Sequence, residues 1–297
     1  MDIIKNLNRI KQLYLDHGNI LKYLRERNGH VSNSVEDILI SYDFQAGTYT
    51  ARYKQNSSVE KLYCSHLAGI IDRLGPHSSL LEVGVGEATT LGPLLQVLPN
   101  RPDRCYGFDI SWSRVKYARR FLQELRVHDV ELFVGDLFYA PLQDNSIDVV
   151  YTSHSIEPNG GKEREALIEL YRIARKYLIL LEPAYEFADD EAKARMESHG
   201  YITSLFSTAQ ELGFNIIEHR LFDVSLNRLN PTGLIIIKKD IPNSPAIDPL
   251  CCPNTRTNII KSSNAYFSAD SLLAYPIIDE IPCLLPQHAI IATKFLD

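Results

Sequence analysis

An alternation constrains this chain more than any other feature. From residue 79 to residue 183, short and nearly continuous apolar runs alternate with stretches of helical pattern. The apolar runs are 79–85 (SLLEVGV), 104–110 (RCYGFDI), 130–136 (VELFVGD), 147–153 (IDVVYTS) and 177–183 (YLILLEP). Between them stand 111–127 (SWSRVKYARRFLQELRV) and 162–176 (KEREALIELYRIARK), both of helical pattern. Strands that are apolar on both faces need helices on both faces. The alternation therefore predicts an α/β fold: a doubly wound, mostly parallel sheet with right-handed crossovers. Two later runs, 214–222 (FNIIEHRLF) and 232–240 (TGLIIIKKD), lie about ten residues apart with Asn230-Pro231 between them. That gap is short for a helical crossover, so an antiparallel pair at the sheet edge is expected.

The flanks divide the chain into 1–57, 58–240 and 241–297. Ile3, Ile4, Leu7, Ile10 and Leu13 recur at helical spacing, as do Ile20, Leu21 and Leu24, and Gly29 is a stop signal. The segment 41–53 (SYDFQAGTYTARY) is tyrosine-rich without a clear period and reads as an irregular cover. A helix is expected from about Val59 to Leu74, capped by Ser57 or Ser58 and ended by Gly75-Pro76. After Lys239 the composition changes. Residues 240–255 (DIPNSPAIDPLCCPNT) carry four prolines and read as a linker to a short, separate module.

With 297 residues, 45% of them hydrophobic, the chain suffices for one large domain and a small appendage. The net charge of -6 argues against a general affinity for nucleic acid or anionic membranes. No apolar run approaches the ~18 residues of a membrane span. The opening residues do not read as a signal peptide, and five irregularly spaced cysteines suggest a reduced, cytoplasmic protein.

The chemistry is expected at the strand tips. In 80–90 (LLEVGVGEATT) an apolar run turns abruptly glycine-rich, and glycines at a strand–helix turn let the backbone pass close to a ligand. Gly84 and Gly86 stand there, with Ala88 and Thr89 where a third glycine often falls. The next strand ends at Asp109, 25 residues after Gly84. A carboxylate at that place accepts hydrogen bonds from ribose hydroxyls; the plainer role is a cap for the following helix, which Ser111 or Ser113 could also fill. These features suit a dinucleotide dehydrogenase equally well. At the third tip, Asp136 could accept an adenine amine while Leu137 packs on the ring.

Together, 80–90, GFDIS (107–111) with VKYAR (115–119), and GDLFYAPLQDNSIDVVYTS (135–153) resemble the class I S-adenosylmethionine-dependent methyltransferases over roughly residues 58 to 240. The resemblance implies a seven-stranded sheet of order 3-2-1-4-5-7-6 with strand 7 antiparallel. It implies S-adenosylmethionine as cofactor, with S-adenosylhomocysteine as product. It places Glu82, Gly84 and Gly86 along the methionine part, Asp109 at the ribose hydroxyls and Ile110 beside the adenine. Asp136 and Leu137 hold the adenine edge, and Ser153 and His154 face the sulfonium. An acceptor hydroxyl must lose a proton, and His154 is the first candidate base, with Glu157 second. The plainer reading makes 153–161 (SHSIEPNGG) a pocket wall. Glu182, Pro183 and Tyr185 stand at the same rim and could meet an acceptor. Tyr42, Tyr49, Arg52 and Tyr53 are lid candidates, Tyr42 and Tyr49 as cofactor contacts and Arg52 more simply as a surface ion pair.

The last module resembles the small Trm112-like zinc-ribbon domain in Cys252-Pro253-Asn254 and in 271–286, around LLAYPIIDEIPCLLP. Paired C-x-x-C motifs are missing, so no metal site is expected and the fold should rest on apolar packing. The module could cover the acceptor site, dock on the larger domain or support a homodimer. The leading expectation is methyl transfer (EC 2.1.1.-) to a small polar molecule at oxygen, without nucleic acid or membrane partners. The rivals are a methyltransferase for a protein or translation component, a non-catalytic cofactor-binding scaffold, and a dehydrogenase.

Overall fold

A computed structural model describes residues 2–30, 32–239 and 248–297. The expected linker falls largely on 240–247 and so lies outside the described residues.

The chain begins with five helices: α1 (Asp2–Leu15), α2 (Ile20–Asn28), α3 (Val35–Phe44), α4 (Thr48–Gln55) and α5 (Ser58–Arg73). The two early runs at helical spacing form α1 and α2, and Gly29 closes α2 in left-handed conformation. The irregular cover expected at 41–53 is a correction: α3 and α4 are both regular. Ser34 and Asp37 form a reciprocal capping box on α3, a signal written in the sequence. The cap on α4 comes from a distant residue and could not be read locally.

The alternation then follows: β1 (Ser79–Val83), α6 (Leu91–Val97), β2 (Arg104–Asp109), α7 (Trp112–Glu124), β3 (Val130–Val134), β4 (Ile147–Ser153), α8 (Glu163–Ile173), β5 (Ala174–Pro183), α9 (Asp190–His199), α10 (Leu205–Glu211), β6 (Ile216–Leu221) and β7 (Thr232–Lys238). The sheet order is β3-β2-β1-β4-β5-β7-β6. β1 pairs in parallel with β2 and β4, and β7 runs antiparallel to β5 and β6. The fold class and strand order are as expected. β5 starts earlier than its apolar run because Ala174 to Lys176 leave α8 directly into the sheet. Two apolar cores lie on the sheet's two faces, one under α5, α6 and α7, the other under α8 and α10. Among the described residues no helix is long and apolar enough to cross a membrane.

The last residues form a second sheet from β8 (Ile260–Ser262), β9 (Ala265–Ser268), β10 (Leu273–Ile278), β11 (Ile281–Pro282) and β12 (Ile290–Ile291). This module is docked rather than separate. Leu250, Cys252, Ile259, Tyr275 and Leu284 join the core that contains Phe108 and Phe133. Cys283 bridges in parallel to Val134, and the Leu284 amide donates to the Val134 carbonyl at 2.9 Å. Lys116 and Arg119 pair with Asp279 at 3.0 and 3.3 Å. Cys251, Cys252 and Cys283 are buried free thiols. Among the described residues no group of three or more His, Cys, Asp or Glu side chains is placed to hold a metal ion.

Candidate functional site

A cleft of about 970 Å³, counted out to its open mouth, lies over the carboxyl ends of β1, β2, β3 and β4. Open parallel sheets bind ligands at this end. Glu82, Gly84, Gly86, Asp109, Ile110, Asp136, Leu137, Ser153, His154, Tyr42 and Tyr49 all line it.

The glycine turn is needed for its shape. Gly84 has φ +70°, and a Cβ there would stand 2.2 Å from the Ser155 Cβ. Gly86 has φ +52°, and its amide donates to Asp109 Oδ2 at 3.0 Å. Ala88, where a third glycine often stands, is buried with φ +59°. Its methyl fits in the helix–sheet junction, and its backbone carries the strain.

Asp109 does not cap α7, because Ser111 does so through its hydroxyl. The Asp109 carboxylate is held by two amides, Gly86 on one oxygen and Ser111 on the other at 2.9 Å. Burial raises its pKa, against the opposing pull of Arg114 and both amides. It keeps acceptor capacity toward the cleft. Asp136 accepts the Phe138 amide at 2.9 Å, and burial raises its pKa too. Glu82 accepts the Tyr151 hydroxyl at 3.0 Å, and burial pushes its pKa up to about 8.

The candidate bases are engaged. His154 has φ +54°, and both ring nitrogens have partners: Nδ1 with Glu157 Oε2 at 2.7 Å, Nε2 with Thr232 Oγ1 at 2.8 Å. Burial opposes the charged imidazole, but Glu157 and Glu182 together raise its pKa above the ordinary value. Glu157 lies behind His154, outside the cleft lining, and also accepts from Asn230 at 2.8 Å. Ser153 shares a hydrogen bond with the Tyr63 hydroxyl at 2.9 Å. Glu182 accepts the amides of Ser155, Ile156 and Glu157 at 3.0, 3.2 and 3.1 Å. It thereby shapes the loop that carries His154. Tyr185 bonds Glu197, and neither it nor Glu182 lines the cleft. Arg52 pairs with Glu60 at 3.3 Å, and Tyr53 is packed edge-on against Phe121 in the core.

Three residues that the sequence reading passed over organise the lid. Glu87 lies one residue past Gly86 and is 1% exposed. Its carboxylate accepts the amides of Gly47, Tyr49 and Thr50 at 2.9, 3.3 and 2.7 Å, and the Thr50 hydroxyl at 2.8 Å. An anion at a helix amino end is favourable. Asp43 does the converse: it reaches from α3 to Ser111 Oγ at 2.6 Å and to the Ser113 amide at 3.2 Å, at the start of α7. Arg114 lies between the Tyr42 and Tyr49 rings, its Cζ 4.6 Å from each ring centre. The available signals were an acid beside a glycine turn and a base in a helix's first turn.

Residues 81–180 match a family model described as a methyltransferase domain. A curated relative, an uncharacterised 37.1 kDa protein of transposon Tn4556 from Streptomyces fradiae, is 34% identical over 113 residues, 37% of this chain and 32% of its own length. The chain thus spans about a third of that relative. Similar solved structures include a methyltransferase from Aquifex aeolicus, 20% identical, covering 57% of this chain and 87% of its own, TM-score 0.44. The YcgJ protein of Bacillus subtilis is 17% identical, covering 59% and 98%, TM-score 0.45. The match to the family model covers about a third of the chain.

Proposed function

We propose that the chain as a whole is an S-adenosylmethionine-dependent methyltransferase that acts on a small polar molecule, at oxygen. The observation that carries this reading is the lidded cleft: acidic strand tips below, and α3 and α4 fastened above by Asp43 and Glu87.

The residues present fit the cofactor. A nucleoside with two cationic centres suits a cleft lined by Glu82, Glu87, Asp109 and Asp136. Gly84 lets the turn after β1 pack against Ser155, where a Cβ would collide, and among the described residues the buried Nη2 of Arg114 has no hydrogen-bond partner. Asp109 would take the ribose hydroxyls and Asp136 the adenine amine, with Ile110 and Leu137 on the ring faces. Glu82, Gly84 and Gly86 would follow the methionine part, with Ser153 on the sulfonium side. When bound, the cofactor supplies an electrophilic methyl group on positively charged sulfur.

The chain's own work is alignment, exclusion of water and handling of one proton. Orientation of this kind contributes up to ~7–11 kcal/mol to a barrier. Tyr42 and Tyr49 close the cleft to solvent. The space under the lid must hold both cofactor and acceptor, which favours a small acceptor over a macromolecule. An acceptor hydroxyl that displaced Thr232 would meet His154 Nε2, with Glu157 fixing the other nitrogen.

Calorimetry with S-adenosylmethionine, S-adenosylhomocysteine and NAD, followed by turnover against small hydroxylated acceptors and a protein extract, tests the reading. Binding of NAD without the two sulfur compounds overturns it. Turnover confined to the extract favours a protein or translation-factor acceptor, and binding without turnover favours a scaffold.

A further inference from the structure

His154 is held at a cost. Its backbone lies at φ +54°, a strained conformation for a residue other than glycine. The Oγ of Ser155 beside it and the Oδ1 of Asn230 are buried, and neither has a hydrogen-bond partner among the described residues. Buried polar groups are ordinarily paired. An apolar pair could join β4 to β7 without these costs, so the arrangement points to a use.

The bonds that fix the ring trace to one turn, Asn230-Pro231-Thr232, where the chain enters β7. Its backbone is fixed on two sides. The Pro231 carbonyl accepts the Ala184 amide at 2.9 Å, and the Thr232 carbonyl accepts the Phe222 amide at 2.8 Å. Asn230 Nδ2 donates to Glu157 Oε2 at 2.8 Å, the oxygen that also meets His154 Nδ1 at 2.7 Å. Burial opposes the charge on Glu157, but bonds from His154, Tyr201 and Asn230 hold its pKa below the ordinary value. An ionised carboxylate only accepts, so Nδ1 must carry a proton. Thr232 Oγ1 meets Nε2 at 2.8 Å, and a hydroxyl donates or accepts as required. It therefore serves Nε2 with or without a proton, where a carbonyl would serve only the protonated nitrogen. The other titratable groups around the pair are Glu182 of β5, and Tyr42 and Tyr201 beyond Glu157.

We propose that Asn230 and Thr232 are positioning residues for proton transfer: Asn230 steers Glu157 so that Nδ1 keeps its proton, and Thr232 lets Nε2 alone gain and lose one. The proposal rests on the methyltransferase reading above, with His154 as base. The proton that an acceptor oxygen gives up as it bonds to the methyl carbon would go to Nε2 and leave from there to water.

Nitrogen NMR of the imidazole, with the signals assigned by their loss in His154→Gln, tests this without an acceptor. In the wild type Nδ1 should stay protonated throughout, and Nε2 should titrate with a midpoint above ~6.5. Thr232→Val should lower that midpoint by about 0.5–1 pH unit, because the charged nitrogen loses the stronger bond. Thr232→Ser should restore it. Asn230→Ala should let part of the neutral ring carry its proton on Nε2 instead. An Nδ1 that loses its proton first in the wild type, or a midpoint that Thr232→Val leaves unmoved, overturns the proposal. If the wild-type protein binds neither S-adenosylmethionine nor S-adenosylhomocysteine, the methyltransferase reading has failed, and the use of His154 as a base fails with it.

Discussion

Glu87 holds Thr50 twice, through its backbone amide at 2.7 Å and its hydroxyl at 2.8 Å, across 37 residues of chain. The glycine turn and the lid helix are thereby one unit. Glu87→Gln keeps the shape and removes the charge that faces the α4 amides. Charge-assisted bonds contribute roughly 1.5–3 kcal/mol each. Hydrogen exchange over 47–55 should therefore rise at least tenfold while the sheet stays protected. Unchanged exchange there would show that α4 is held by packing alone.

Asp109→Ala removes the carboxylate that two amides aim into the cleft. S-adenosylmethionine affinity should fall tenfold or more, with the melting temperature little changed. Asp109→Asn, which retains one acceptor, should lose less. Calorimetry decides, and an unaltered dissociation constant removes Asp109 from the site.

His154 separates a base from a wall residue. A base must be neutral, and Glu157 and Glu182 raise the imidazole's pKa against burial. Activity should therefore climb with pH through a midpoint above the ordinary ~6.5. His154→Ala should cost ~10²–10⁴ in kcat and abolish that limb, with cofactor affinity retained. A loss of under tenfold with the limb intact assigns His154 to the loop's architecture only.

Glu82 links binding to protons. With a pKa of about 8 it is largely protonated at neutral pH in the free protein, against ~4.3 when unfolded. Its folded-state contribution is complete below the unfolded value and fades as pH rises toward about 8. A bound cation favours the ionised form, so cofactor affinity should increase from pH ~6 to ~8 and then level. Proton release, read in buffers of different ionisation heat, should disappear in Glu82→Gln. A flat affinity profile for the wild type would contradict this coupling.

The mostly parallel sheet was legible because five apolar runs, each bounded by turn residues, need helices on both faces; its strand order came only from the family resemblance. The short gap before β7 added the antiparallel edge. Asp109 and Asp136 were legible because strand tips are where ligands sit. The lid was not. Its tyrosines hide the helical period, and the residue that caps α4 lies in another element. Arg114 and Glu87 gain meaning only when α4, α7 and the glycine turn meet in space. The bonds of His154 to Glu157 and Thr232 join β4 to β7, a contact that spacing does not encode. Docking of the last module was one of three open alternatives, and the sequence did not choose it because the module's apolar runs are short and complete a core begun elsewhere.

That docking bears on how the chain can be handled. Leu284 is fastened to Val134, two residues before Asp136. The tail is thus an outer buttress of the wall against which the adenine would rest. It also shields the free flank of β3, where a foreign strand could otherwise add. Trimming the carboxyl end would loosen nucleoside recognition and open a sticky border in the same stroke.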